Sequence, residues 1–429
     1  MTNSPQSSPL EVLADQISAS AKIIAAFCAS TGHPHPSFDD IKLNGLNTLP
    51  CSAPAEIQEA RQVILENAYR LEQLIIEPNQ YLARLAVYPQ HLAAIQWLCH
   101  FKIPSLVPSD SNISYPDLAA AAHVPLHQLK SITRMAITGN FLQEKVLNQV
   151  SHSKTSAHFV SNPSLCDWAL FLAEDSAPMA PKLVEATLKW GETTKKTETA
   201  FNLALKTDLP FFDYLSSSPE FTQRFSGYMK NVAKGEGTNI KHLIQGYDWA
   251  NLGNATVVDV GGSSGHTSIS LAEIFPQLKF IVQDLPMVIK TSVSQVPDAV
   301  SSRVTFQSHD FFTPQPVIDG DVYLLRMILH DWPRDEAQKI LSHLAAALIR
   351  PGGRILVMDT VLPNPGSAPV SEEALLRVRD MTMMQTFNSH ERGMEEWEAL
   401  VQAADSTLKI IRAIQPVGSA MTILEIGRD

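Results

Sequence analysis

The stretch Ala255–Pro286, ATVVDVGGSSGHTSISLAEIFPQLKFIVQDLP, decides the fold. Val257 and Val258 open an apolar run that reads as a buried strand. Asp259 follows, then the turn Gly261-Gly262-Ser263-Ser264-Gly265. Thr267 to Phe275 carries Ile269, Leu271, Ala272 and Phe275 at helical spacing. Phe280 to Val282 is a second short strand, ending in Asp284-Leu285-Pro286. Strand, glycine turn, helix, strand, acid is the entry to a nucleotide-binding α/β sheet. Glycines let the backbone turn sharply and approach a ligand. The helix N-terminus adds unpaired N–H groups and a partial positive charge. Asp284 stands close to the separation of about 20 residues expected of an acid that accepts ribose hydroxyls. The dinucleotide pattern G-x-G-x-x-G is incomplete, because Val260 occupies its first glycine position. A bare structural turn therefore stays open on this stretch alone.

Downstream, strand and helix alternate. Val304–Phe306, Asp321–Leu325 and Arg354–Thr360 read as strands, with terminal strands at Leu408–Ala413 and Met421–Ile426. Asp335–Ile349, Glu372–Phe387 and Gly393–Asp405 read as helices. The class is α/β, a mainly parallel sheet with helices on both faces. Ligands in such sheets sit beyond the carboxyl ends of the strands. Asp259, Asp284, Asp310, His330 and Asp359 all fall at or just after those ends.

Upstream, residues 1–8 are polar and read as disordered, Pro9–Ser30 as an amphipathic helix, Thr31–Pro54 as a linker and Ala55–Ile76 as a second helix. These helices bury their apolar stripes either on their own subunit or on a partner. Tyr81–Leu106 continues helical. Tyr115–Gly139 reads as helix, turn, helix, and Phe141–Val150 with Ala157–Val160 as paired strands of a wing. The second of those helices offers only Lys130 and Arg134, too few for a DNA reader. Pro163–Trp190 reads as two helices, followed by Asn202–Lys230 with Phe211 and Phe212. A net charge of -11 argues against nucleic acid as a principal partner. Cys28, Cys51, Cys99 and Cys166 show no zinc spacing and read as reduced thiols. Residues 1–15 hold no Lys or Arg, and apolar stretches such as Ile23–Cys28 are too short to span a bilayer. The expectation is a soluble, cytoplasmic protein with no membrane partner.

Gly261–Gly265, Asp284-Leu285-Pro286, His309-Asp310-Phe311-Phe312, His330-Asp331-Trp332, Pro351-Gly352-Gly353 and His390-Glu391-Arg392 occur in this order. Together they resemble the class I S-adenosylmethionine-dependent O-methyltransferases of the plant caffeate and flavonoid type, especially fungal members acting on polyketides. The resemblance covers roughly residues 85–429. It implies a Rossmann-like catalytic domain (251–429), a helical substrate-lining connection (166–250), a winged-helix-like dimerisation domain (81–165) and a helical extension (1–80). It also implies a homodimer. Carried over, Gly261 and Gly262 touch the cofactor's methionine end, Asp284 with Leu285 its ribose, and Asp310 and Phe311 its adenine. Arg326 falls beside the cofactor. His330 matches the general base, and Asp359 and Glu391 the two acids flanking it. Phe212, Met229, Met327 and Asn388 are substrate-side candidates. No metal is implied.

The residue types suit the chemistry. A phenol has a pKa near 10, as in tyrosine, and is a poor nucleophile while protonated. A histidine is suited to take its proton, and a carboxylate on the other ring nitrogen fixes the tautomer. Asp359 and Glu391 could equally be caps, and Arg326 a structural ion pair; Trp332 and Trp397 read as core. The leading expectation is methyl transfer to a phenolic or enolic oxygen of a small aromatic or polyketide substrate. Dehydration or a pericyclic reaction with a non-reacting cofactor is the rival. A regulatory binding protein and a NAD-dependent oxidoreductase rank lower.

Overall fold

The computed structural model describes residues 8–38, 48–50, 52–292 and 296–428. The expectations for residues 1–7, for linker residues 39–47 and for Cys51 lie outside the described residues. The chain divides into two compact units. The first is Met1–Pro178 with Ser218–Tyr228 and Ala368–Glu373. The second is Met179–Ser217, Met229–Ser367 and Ala374–Asp429.

In the first unit, α1 (Pro9–Thr31) starts at a capping box, with the Glu11 N–H donating to Ser8 Oγ and the Ser8 N–H donating back to the Glu11 carboxylate. Gly32, at φ 68°, ends it. Among the described residues α1 is the one helix long and apolar enough to cross a bilayer. It pairs instead with α2 (Ala55–Ile75), and Ile24, Cys28, Leu49, Ile57 and Ala60 form the seam. Glu66 on α2 caps the helix Val370–Phe387. Its carboxylate accepts the N–H groups of Val370 and Ser371, both at 3.0 Å, and the Ser371 hydroxyl at 2.8 Å. An acid at a helix N-terminus satisfies orphan donors and opposes the dipole.

β1 (Ile113–Ser114) leads into the helices Tyr115–Ala122 and Leu126–Thr138, and β2 (Leu142–Val146) and β3 (Gln149–His152) follow them, the three strands forming a small antiparallel sheet in the order β1-β3-β2. The paired strands thus both lie within Leu142–His152, and Ala157–Val160 is helical, not a strand. The reason is local. Asn148, at φ 63°, turns the chain tightly between β2 and β3. Ser153 and Ser156 then form a capping box that starts the helix Lys154–Ser161. Lys130 bonds Asn148 Oδ1, and Arg134 grips Glu144 through two nitrogens, so both cations are spent on the hairpin. Pro163–Trp190 is more broken than two helices: Ser164–Leu170 loosens into a wide turn at Phe171–Ser176. It then tightens over Ala177–Lys182, where Pro181 removes a donor, before Leu183–Trp190.

The second unit is built on β4 (Thr256–Val260), β5 (Lys279–Asp284), β6 (Val304–Ser308), β7 (Val322–Arg326) and β8 (Arg354–Asp359). A two-residue parallel ladder of β9 (Val361–Leu362) and β10 (Arg392–Gly393) follows, then β11 (Leu408–Ile414) and β12 (Thr422–Arg428). The main sheet runs β11-β12-β8-β7-β4-β5-β6, antiparallel only at β12. Its strands are apolar on both faces because both are covered. Val258, Tyr323, Leu325 and Val357 pack on the helices Arg334–Ala347 and Met394–Ala404. Val257, Phe280, Leu324 and Leu356 pack on the other side with Trp249 and Leu271. The strand order reverses between β4 and β7, which places a crevice at their carboxyl ends.

Replacing Glu66 by Ala is expected to cost about 1 kcal/mol, the usual worth of an N-cap, read as a lower urea midpoint. Glu66→Gln, which keeps an acceptor, should lose less.

Candidate active site

The glycine turn leaves β4 with no room for side chains. Gly261 has φ +73°, and a Cβ there would meet Ile328 Cδ1 at 2.7 Å and Phe311 Cε1 at 3.5 Å. At Gly262 it would strike Asp259 Cγ at 2.6 Å and Val282 at 2.8 Å. Both glycine N–H groups donate to the Gln283 carbonyl, at 2.8 and 3.0 Å. Asp284, ending β5, accepts the Ser263 N–H at 2.8 Å and the Leu285 N–H at 2.7 Å, one on each carboxylate oxygen. Each oxygen keeps a second lone pair. Burial raises the Asp284 carboxyl above its usual range, against these two donors. Asp310 lies two residues beyond β6 with its carboxylate exposed, accepting the Phe312 N–H at 3.0 Å. Phe311 packs edge-to-face on Phe312 and Trp332 while its ring flanks Gly261. Leu285 is exposed. An adjoining strand, an acid with free lone pairs and a ring beside open glycines fit a nucleoside with a small polar tail.

His330 sits four residues past β7 in the tight turn Leu329–Asp331 and is 9% exposed. Its Nδ1 lies 2.9 Å from Glu391 Oε1 and 4.0 Å from Asp359 Oδ1. Nε2 is left to face Asp331 Oδ1 at 3.5 Å. Burial works against the imidazolium, but Asp359, Glu391 and Asp331 outweigh it and push His330 up to about 10. Burial likewise raises Asp359 to about 7 and Asp331 to about 6, each held back by His330. Asp359 Oδ2 accepts the Leu329 N–H at 3.1 Å, so the acid also pins the turn. Among the described residues, Asp359 Oδ1, Glu391 Oε2 and Arg326 Nε are buried without a hydrogen-bond partner. Arg326, ending β7, donates to the Thr238 carbonyl at 2.5 Å. Burial lowers its pKa, and Asp259 and Asp359 hold it up. Asp259 itself is buried, raised to about 6, and accepts the Ser268 hydroxyl at 2.6 Å.

Of the substrate-side candidates, Phe212 is 41% exposed and stacks on Phe387 (5.6 Å) and Trp332 (6.3 Å), beside the His330 turn. Met327 directly follows β7 with φ +57°. Asn388, at φ +53°, donates its amide to the Lys195 and Glu198 carbonyls at 2.8 and 3.1 Å, so it ties down a loop. Met229 is half-buried in the helix Pro219–Lys234. Trp397 is core, whereas Trp332 is only half-buried.

Sequence reasoning missed three residues. Buried Arg392 donates to the Leu329 and Trp332 carbonyls, at 2.8 and 2.7 Å, and so clamps the backbone on both sides of His330. Lys196 lies 4.3 Å over the Trp332 ring and pairs with Glu336 at 2.9 Å. Asp331 had been read as a motif letter only. A cation next to a site acid, as in Glu391-Arg392, was the available signal for the first.

An O-methyltransferase domain model matches residues 188–405, and the N-terminal domain of the trypacidin cluster transcriptional coactivator tpcD matches residues 7–76. The O-methyltransferase VdtC of Byssochlamys spectabilis is 63% identical over 425 residues, covering 98% of each chain. Among solved structures, OxaC in complex with sinefungin and meleagrin superposes with a TM-score of 0.76 at 20% identity, covering 98% of this chain and 99% of that one. LepI in complex with SAM does so with 0.73 at 21%, covering 97% and 100%. At these identities the two structures establish the fold.

Because the folded state holds protons on His330, Asp359 and Asp331 above their ordinary pKa values, it binds more protons than the unfolded chain. Stability therefore falls with rising pH. The His330 contribution is whole below about 6.5 and is lost as pH rises toward about 10. Urea midpoints should drop across that window, and His330→Gln should flatten the drop.

Proposed function

The chain belongs to the S-adenosylmethionine-dependent O-methyltransferases of fungal secondary metabolism, and we propose that it methylates a phenolic or enolic hydroxyl of a polyketide, with His330 as proton acceptor. The observation that carries this is the division of labour on one imidazole. Nδ1 is bound to Glu391 at 2.9 Å, which leaves Nε2 to meet an acceptor hydroxyl. Glu391 fixes the tautomer and Asp359 adds a second negative charge beside the same nitrogen. Bound S-adenosylmethionine supplies a sulfonium-activated methyl group. In this reading Gly261 and Gly262 admit its methionine end, and Asp284 accepts the ribose hydroxyls with its remaining lone pairs beside Leu285. Phe311 would lie against the adenine and Asp310 would accept from its amino group. Arg326 feels the charges of both the cofactor-side Asp259 and the histidine-side Asp359.

Phe212, Met229, Met327 and Asn388 would border the acceptor. The intact His330–Glu391 pair and the kinship to VdtC support methyl transfer over dehydration or a pericyclic reaction. We assign 251–429 as the catalytic domain and 166–250 as a substrate-lining connection. Residues 81–165 are the winged-helix-like dimerisation domain, and 1–80 a helical extension. Exposed Leu82, Leu85 and Tyr88 are apolar surface suited to a second copy of the chain. The reading is a cytoplasmic homodimer acting on a small molecule, without nucleic acid or membrane.

Calorimetry with S-adenosylmethionine and turnover with phenolic polyketides test this. His330→Ala should keep cofactor affinity and lose about 10²–10⁴-fold in kcat; undiminished turnover would remove the histidine from the mechanism. Asp284→Ala removes two charge-assisted acceptors and should weaken cofactor binding by about 100-fold or more.

A further inference from the structure

The charges around His330 form an unequal set. Three carboxylates face the ring: Asp331 from its own turn, Asp359 from the end of β8 and Glu391 from the residue before β10. Two arginines answer them. Arg392 is buried against the turn, and Arg326 at the end of β7 divides its charge between Asp359 and Asp259. Asp380, whose carboxylate accepts the Glu391 N–H at 3.1 Å, adds a further acid on the far side. With a neutral imidazole the set carries excess negative charge about a buried ring, which is unfavourable away from water.

The geometry makes the same demand atom by atom. Nδ1 must donate to Glu391, so a neutral ring would have its lone pair on Nε2. That lone pair would lie 3.5 Å from Asp331 Oδ1, acceptor near acceptor. A proton on Nε2 turns this repulsion into attraction. It also supplies positive charge beside Asp359 Oδ1 and Glu391 Oε2, two buried carboxylate oxygens without a hydrogen bond among the described residues.

We propose that His330 rests as an imidazolium and that the acceptor enters as its oxyanion, its own proton having gone to water, and is held against Nε2–H, so that the proton has left the oxygen before the methyl group moves. The proposal rests on the methyltransferase reading and replaces the proton-acceptor role of His330 in it by that of a fixed cation that holds the acceptor oxyanion. The imidazolium–oxyanion pair is the state general-base catalysis passes through; in this site it is the ground state. The oxyanion then attacks the methyl carbon. A C–O bond forms as the C–S bond breaks, no proton moves in that step, and Nε2 keeps its proton as the neutral ether departs, so that His330 meets the next acceptor as an imidazolium. The upward pull on His330 described above is in line with this. The consequence is selection. The site favours hydroxyls that ionise readily, phenols and enols conjugated to a carbonyl, over isolated phenols of ordinary acidity.

Histidine ring-nitrogen NMR of the full-length enzyme tests the resting state without acceptor or turnover, so its failure is separate from failure of the methyltransferase reading. The His330 signal is the one lost in His330→Gln. At about pH 8 both ring nitrogens should carry protons, where a free histidine is neutral; a ring with one bare nitrogen would overturn the proposal. Asp331→Asn, which removes the acid facing Nε2, should lower the midpoint of that signal by a unit or more, and an unchanged midpoint would count against it. With acceptors of graded acidity, the rising limb of kcat/KM should track the acceptor's own pKa. A rising limb fixed at about 6.5 for every acceptor would mean an ordinary histidine base and no resting imidazolium.

Discussion

The hydrogen bond between His330 Nδ1 and Glu391 Oε1 is the contact on which the site turns, and main-chain pairing makes it. β8 ends in Asp359, and the chain continues directly into β9. β10 lies beside β9 in parallel, with Arg392 opposite Val361. That register sets Glu391 next to the end of β8. The same dipeptide then works twice: Glu391 holds the ring, and Arg392 holds the carbonyls on either side of it. A sharp two-residue ladder thus brings together groups 61 positions apart in sequence. Precision here comes from backbone geometry rather than from long, flexible side chains.

Rigidity on the cofactor side comes at a different cost. Asp284 is already committed to two N–H groups of the turn, so its carboxylate is oriented before any ligand arrives. Ser263, Met327 and Asn388 all sit at left-handed φ values, 51°, 57° and 53°. Such positions cost of order 1–3 kcal/mol each and persist only where surrounding contacts over-determine them. Here they are over-determined. Ser263 is held by Asp284, Met327 by the Met358 carbonyl, and Asn388 by two carbonyls of a neighbouring loop. All three lie next to groups assigned to cofactor or acceptor, which is where stored strain is expected.

Much of this was legible in the sequence, because strand ends are legible. Apolar runs announce β4, β5, β7 and β8, and whatever polar residue follows them must lie at the crevice. That logic alone located Asp259, Asp284, His330 and Asp359. Glu391 follows no predicted strand, and only the family pattern reached it. Arg392 was passed over because its work is done on carbonyls, which a sequence does not display. The wing was misplaced for a similar reason. Ala157–Val160 is apolar enough for a strand, and only the Ser153–Ser156 exchange of hydrogen bonds makes it helical. Asn388 was reached only through the family pattern, and the engagement of its amide by backbone is a feature that spacing does not reveal.

A wall of Phe212, Phe387 and Trp332 gives a flat ring system a large apolar surface, but apolar surface chooses poorly. One methylene more or less in such a pocket is worth about 1–3 kcal/mol, and an added hydroxyl is rejected weakly. Polyketide acceptors carry several hydroxyls on similar rings, so shape cannot decide among them well. A fixed imidazolium decides by a different property. Within one polycycle, hydroxyls conjugated to a carbonyl differ in acidity from those that are not, and a unit of pKa is worth about 1.4 kcal/mol between the two protonation states. In the proposed reading the acid cluster that would make His330 a cation would therefore also let an otherwise permissive aromatic surface choose one oxygen.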